Sequence, residues 1–210
     1  RPGRDCGAGS GRGGLTKLTA AKAYPGGGGQ RGTLAAPLGD QVLPDPLDNF
    51  AEEHLRLREI CARLDALVAA APEPDRATAT DALTHLQTAL PRHVRDEEED
   101  LFPLLRLRSQ EDEEINDTLD RLAAEHVLSA RLRRQVCAAL ERTIGSDTTV
   151  TPQEAAAVTA FAAQERRHLI VENAIVLPLA RVRLTPQDLE TLRRRMLQRR
   201  RAAAQEDPTC

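Results

Sequence analysis

The sequence predicts an all-α protein: an up-down-up-down four-helix bundle with a short extra C-terminal helix and a disordered N-terminal tail. Three observations predict it. Ala, Leu, Arg and Glu dominate, aromatic residues make up 2% and Trp is absent, a composition of strong helix formers and not of strands. Apolar residues recur at threes and fours in four long stretches, the period of a helix with one buried face. Short breaks separate those stretches, so neighbouring helices are expected to run antiparallel. A chain of 210 residues, 40% hydrophobic and 29% charged, suffices for one such domain and a tail.

The expected division is a Gly/Pro-rich tail over 1–44, the bundle over 45–182, and a basic helix with its tail over 183–210. Residues 1–44 hold most of the glycines, including Gly26 to Gly29, and show no helical period. Such a segment buries too little apolar surface to offset its ordering entropy, so disorder is expected. The glycine run lacks a following Gly-Lys-Ser/Thr and a preceding strand, so it does not read as a phosphate loop.

Asp45-Pro46 supplies the N-cap and first position of the first helix. Its Leu47, Phe50, His54, Leu57, Cys61, Leu64 and Val68 form one buried stripe with His54 in the middle. Ala71-Pro72-Glu73-Pro74-Asp75 ends it. The second helix is expected over 77–105, kinked or interrupted by Pro91 just before His93. A third spans 112–143, with Leu119, Leu122, His126, Ser129, Leu132 and Arg133 on its inner side and Gly145 as its stop. The capping box Thr151-Pro152-Gln153-Glu154 opens a fourth helix that reaches residue 180. A second box, Thr185-Pro186-Gln187-Asp188, opens a shorter fifth with Leu189, Leu192 and Met196 on one side.

A net charge of −3 is too small to imply nucleic acid or a membrane surface as partner. Lys17 and Lys22 are the only lysines, so nearly all positive charge is arginine. The fifth helix concentrates Arg193, Arg194, Arg195, Arg199, Arg200 and Arg201, but no aromatic interleaving or fold motif supports nucleic acid. A solvated stripe, or pairing with the acidic second helix, is the preferred reading. Cys6, Cys61, Cys137 and Cys210 show no CxxC spacing, which disfavours a disulfide framework or a zinc knuckle and points to a reducing, cytoplasmic compartment. Cys61 and Cys137 fall on inner seams, where a structural role is preferred to a redox one. No stretch approaches a membrane span, and no apolar signal region is seen near the N-terminus. The sequence starts at Arg1 and its only methionine is Met196, which implies a processed, truncated or non-standard start.

The chemistry is carried by a motif that occurs twice. Glu53-His54 and Glu125-His126 are each followed, 39 and 42 residues after the histidine, by His-x-x-x-Glu: His93 with Glu97, and His168 with Glu172. Each copy then runs into an apolar-Pro-Leu ending, Leu101-Phe102-Pro103-Leu104 and Val176-Leu177-Pro178-Leu179. Residues four apart on a helix lie roughly 40° apart in projection, so each His-x-x-x-Glu pair aims at one point. His54 and His126 sit on the buried seams of the other two helices, so six side chains can converge on one cavity. Burying them among Leu and Ala without compensation would cost several kcal/mol each, and metal cations supply that compensation. A lone histidine on an apolar face is more often a satisfied core residue, and the run Asp96-Glu97-Glu98-Glu99-Asp100 alone reads as a solvated face. The matching half-sites favour a dinuclear metal site instead. His85 fits neither half: it projects about 80° from His93.

These residues resemble the hemerythrin-like, or HHE cation-binding, domains. The likeness rests on Glu53-His54, His93-Val94-Arg95-Asp96-Glu97-Glu98-Glu99-Asp100-Leu101-Phe102-Pro103, Glu125-His126 and His168-Leu169-Ile170-Val171-Glu172-Asn173, and covers residues 46–182. It implies a four-helix bundle holding two iron ions, bridged by Glu97 and Glu172, with His54, His93, His126 and His168 as terminal ligands. Oxygen carriers of that family place a further histidine one turn beyond the first on the third helix, where this chain has Ala130, with Leu122 one turn before. They also place an aspartate five residues after the last histidine, where this chain has Asn173. The resemblance with these departures favours sensing, iron handling or redox roles over reversible oxygen carriage.

A set of four nitrogens and two carboxylates suits iron, manganese or zinc. With iron, an open coordination position would admit dioxygen, peroxide or nitric oxide. Tyr24 lies in the tail, so a tyrosyl radical is unsupported. Three readings follow: a non-enzymatic di-iron protein that handles oxygen, nitric oxide or iron, which is preferred; a di-iron oxidase or peroxidase; and a metal-free helical interaction module.

Overall fold

The computed structural model describes residues 45–69, 75–109, 113–146 and 148–206. The tail expected over 1–44, with Cys6 and Tyr24, and also Cys210, lies outside the described residues. Every described element is helical.

Helix α1 is Pro46–Ala69, opened by Asp45 Oδ1, which accepts from the Leu47 N–H at 2.8 Å. Helix α2 runs without a break from 76 to 108, built as Arg76–Thr84, a wide π turn His85–Ala89, Leu90–Asp96, a second π turn Glu97–Leu101, and Phe102–Arg108. Asp75 caps it through the Thr78 N–H. Helix α3 is Glu113–Ser146. Helix α4 runs from 152 to 183, as Pro152–Val171, the π turn Glu172–Val176, and Leu177–Arg183. The expected capping box is formed, with Thr151 and Glu154 bonding reciprocally. Helix α5 is Pro186–Glu206, opened by the same reciprocal device between Thr185 and Asp188.

The π turns account for the clearest difference from expectation. The N–H groups of Leu90, Phe102 and Leu177 reach back five residues, to the carbonyls of His85, Glu97 and Glu172. Proline follows at once in each case, as Pro91, Pro103 and Pro178. A proline ring in a regular helix loses one hydrogen bond and collides with the carbonyl four residues back. One extra residue in the preceding turn makes room for the ring, so Pro91 does not interrupt α2.

Four other boundaries move, the first being the end of α2, which runs to Arg108 and not to residue 105. Gly145 does not stop α3, which continues to Ser146, because its backbone does not take the left-handed conformation of a glycine C-cap. Helix α4 extends past residue 180 to Arg183. Helix α5 is not short: it has 21 residues, and its later turns are held by Arg199 and Arg200.

Helix α1 packs on α2 and α4, and α3 packs on the same two, so the four close a ring. Two apolar clusters fill it. One contains Phe50, Leu101, Leu105, Leu119 and Leu122, joined by Leu192 and Met196 of α5; the other contains Leu57, Ile60, Leu86, Leu140 and Phe161. Along each of the four helices the core passes from one cluster to the other at a histidine: His54, His93, His126 and His168. The polar site is therefore a layer between two dry ones.

Candidate metal centre

All six side chains singled out by the repeat meet in this layer. His54, His93, His126, His168, Glu97 and Glu172 are at most 6% exposed, and Glu172 is fully buried. Their atoms form two groups, His54 and His93 with both glutamates, and His126 and His168 with the same two glutamates. The ring centroids lie 5.0 Å apart in the first pair and 4.6 Å in the second.

Each carboxylate divides its oxygens between the pairs. Glu97 Oε1 lies 3.7 Å from His54 Nε2 and 3.4 Å from His93 Nε2, whereas its Oε2 lies 3.4 Å from His126 Nε2. Glu172 Oε2 lies 3.4 Å from His54 Nε2, and its Oε1 lies 2.8 Å from His168 Nε2. The i, i+4 spacing on α2 and α4 puts each glutamate beside its own histidine. Each then opens a π turn, and the helix beyond it runs into the apolar cluster of Phe50, Leu101 and Val176.

The imidazoles are oriented from behind. Nδ1 of His93 donates to Glu53 at 2.9 Å, that of His168 to Glu125 at 2.9 Å, that of His126 to Glu98 at 2.8 Å, and that of His54 to the Asn173 Oδ1 at 3.2 Å. The Asn173 amide donates in turn to the Leu169 carbonyl at 2.6 Å, which fixes its oxygen toward His54. With Nδ1 carrying the proton, every Nε2 lone pair points at the centre, the arrangement in which histidines bind metal. The pattern obeys the repeat: the glutamate before each lone histidine holds the other histidine of that half, and the residue after each central glutamate holds the lone histidine of the opposite half.

The centre cannot satisfy itself. Both oxygens of Glu97 and of Glu172, with Nε2 of His54, His126 and His168, are buried without a hydrogen-bond partner among the described residues. Burial alone would depress the His93 and His168 imidazoles, but it is outweighed, for His93 by Glu97 and Glu53 and for His168 chiefly by Glu172, and the two rise to about 10 and about 9. Burial raises the carboxyl of Glu97, yet the facing histidines hold it well below the usual range. Protons or cations are needed here. Seven nitrogen and oxygen atoms, buried and converging in two groups, fit metal ions better than any apolar or anionic guest.

That fit agrees with the family to which the sequence matches. The profile of the hemerythrin HHE cation-binding domain matches residues 45–206. The chain belongs to the hemerythrin HHE cation-binding family. No curated protein matches the sequence.

Within this hemerythrin-domain chain the remaining candidates fall outside the centre. His85 is half-buried at the start of the first π turn; burial, and after it Arg56, pushes its imidazole down to about 4. Cys61 is a free thiol in the apolar cluster of Leu57 and Phe161, pushed up to about 12 by burial, so it is inert. Cys137 is half-buried and also shifted up, first by burial. The acidic run on α2 is not a solvated face. Asp96, Glu97 and Asp100 are buried, Glu97 in the centre and the two aspartates against arginines of α5. Arg195 pairs with Asp100, Arg199 with Asp96, Glu99 and Asp100, and Arg200 with Asp96 and Glu53.

Sequence reasoning passed over the Nδ1 acceptors Glu53, Glu98, Glu125 and Asn173, and over Glu165. The four acceptors left a signal, since a glutamate precedes each lone histidine and a polar residue follows each central glutamate. Glu165 left none. It is 4% exposed, lies one turn before His168, and accepts a short hydrogen bond from Ser129.

Proposed function

We propose that this protein holds a non-haem di-iron centre in an up-down-up-down bundle and uses it to sense or handle oxygen, nitric oxide or iron. His54 and His93 would hold one ion, His126 and His168 the other, and Glu97 and Glu172 would bridge them. The observation that carries this reading is the division of each carboxylate's oxygens between the two histidine pairs. A mononuclear site has no use for that division. Opposed pairing supports the topology: Arg63 meets Asp81 and Glu53 meets His93, Gln87 meets Glu141 and Glu98 meets His126, Arg142 meets Glu154 and Glu125 meets His168, and Arg166 meets Asp65 and Asn173 meets His54, so residue numbers rise on one helix as they fall on its neighbour. A reducing compartment suits the free Cys61 and Cys137. Among the described residues no helix is long and apolar enough to cross a membrane.

When bound, ferrous ions supply electrons and an open coordination position to a small ligand. The chain's own residues orient the imidazoles, exclude bulk water and set the charge. A second reading, an oxidase or peroxidase, is favoured by Glu165. Burial pushes its carboxyl up despite the Ser129 hydrogen bond, so it can hold a proton beside the His126/His168 pair, where peroxide chemistry would draw on one.

Anaerobic loading with Fe(II), metal counting and absorption spectra in air separate the readings. About two irons per chain and a charge-transfer band that reverses on removing oxygen are expected for a binding protein. Sustained peroxide consumption with a reductant would establish the second reading. Fewer than one metal per chain, with His168→Ala leaving stability unchanged, would leave only a metal-free helical module.

A further inference from the structure

The two halves of the centre share their inner geometry but not their surroundings. On the His126/His168 side both Nδ1 atoms donate to carboxylates, Glu98 and Glu125. These are 41% and 28% exposed, and among the described residues no arginine pairs with either. On the other side His54 donates to the neutral amide of Asn173. His93 does donate to a carboxylate, Glu53, but the second oxygen of Glu53 accepts from Arg200 at 2.7 Å. Arg200 comes from α5, is 3% exposed, and also donates to Asp96 at 3.0 Å and to the Met196 carbonyl at 3.0 Å.

A carboxylate behind an imidazole draws its Nδ1 proton away and raises the basicity of Nε2 toward a cation. An amide does so far less, and a carboxylate already committed to a guanidinium sits between. Water screens part of the charge on Glu98 and Glu125, but a buried arginine in direct contact cancels more of it than solvent does.

We propose that the two metal positions are inequivalent: the one facing His126 and His168 binds its ion first and more tightly, while Arg200 and the Asn173 amide weaken the one facing His54 and His93. The inference rests on the dinuclear reading above and adds the order of filling. Helix α5 thereby reaches the centre through one arginine and one glutamate, and the weaker position is the exchangeable one. Glu98, Glu125, Glu53, Asn173 and Arg200 act as positioning residues, since none faces the ions.

Anaerobic titration of the metal-free full chain with Co(II), followed by absorption and calorimetry, gives two association constants. Bridging carboxylates alone separate two binding steps, so the ratio of first to second constant in variants is the deciding quantity. Glu125→Gln and Glu98→Gln are each expected to lower the first constant by about tenfold and to shrink the ratio. Glu53→Gln, at the symmetry-related position, is expected to lower the second constant and widen it. Glu98 is exposed enough that its variant keeps the fold even if Glu53→Gln does not. A ratio that stays unchanged in Glu98→Gln and Glu125→Gln, or moves the same way in Glu125→Gln and Glu53→Gln, overturns the proposal, as do two equal steps in the parent chain. Failure of the parent chain to bind Co(II) at all would instead overturn the dinuclear reading on which it stands.

Discussion

At the scale of single residues the centre is a competition between protons and metal. His93 and His168 are raised to about 10 and about 9 in the folded metal-free chain, and His126 is raised too, all against burial. Groups whose folded value exceeds the unfolded value of about 6.5 contribute stability fully present below that pH and lost as pH climbs through the folded values. The metal-free protein should therefore lose stability from pH 7 to 10, as Glu97 and Glu172 lose their protonated partners. With saturating Zn(II) the slope should reverse, because the ion displaces those protons and binds better as they leave. Urea midpoints at pH 7, 8 and 9, with and without Zn(II), check this; parallel slopes would show that the ion does not replace the protons. The six inner residues were legible in the sequence because the repeat gave each a counterpart. Glu165 was not, since Leu90 stands at the matching place before His93 and no repeat marks it.

At the scale of helices the termini were legible and the interiors were not. Caps are local chemistry, and Asp45, Thr151 and Thr185 cap as their sequences indicate. Replacing Thr151 with Ala should cost about 1 kcal/mol of stability, read from urea unfolding. The π turns depend on whether surrounding packing makes an extra residue preferable to a break, and nothing near Pro91 alone decides that. The docking of α5 was half legible. Arginines opposite an acidic run suggested pairing, but burial of Asp96, Asp100 and Arg200 is a tertiary fact. Removing one partner of a buried ion pair strands the other, at about 3–5 kcal/mol. Arg200→Met is therefore expected to destabilise the chain by about that amount, whereas Arg194→Ala, at an exposed position, should change stability by less than about 0.5 kcal/mol. Equal effects in chemical denaturation would mean that the arginines of α5 act only as a charged stripe.

For the whole molecule, a polar layer between two apolar clusters makes the fold and the ligand one problem. Leu, Phe and Ala on either side exclude water from the histidines and glutamates, so those groups have only each other, protons or an ion to satisfy them. The candidate ligands come from α1, α2, α3 and α4 together, and an unfolded chain offers no such constellation. Binding free energy is then folding free energy. At a free metal concentration 100 times the dissociation constant, one ion adds about 2.7 kcal/mol. For a domain of this size each kcal/mol moves the melting temperature by about 2–4 °C, so saturation of one position should raise it by roughly 5–10 °C. Glu172→Gln should abolish most of that rise, since the shared carboxylate serves both positions, while leaving the metal-free chain folded because glutamine keeps the shape and removes a buried charge. Differential scanning calorimetry of the two proteins with graded Fe(II) under nitrogen measures both effects. A melting temperature indifferent to metal in the parent chain would mean that the layer is satisfied by protons alone, and that the six converging side chains are not where an ion binds.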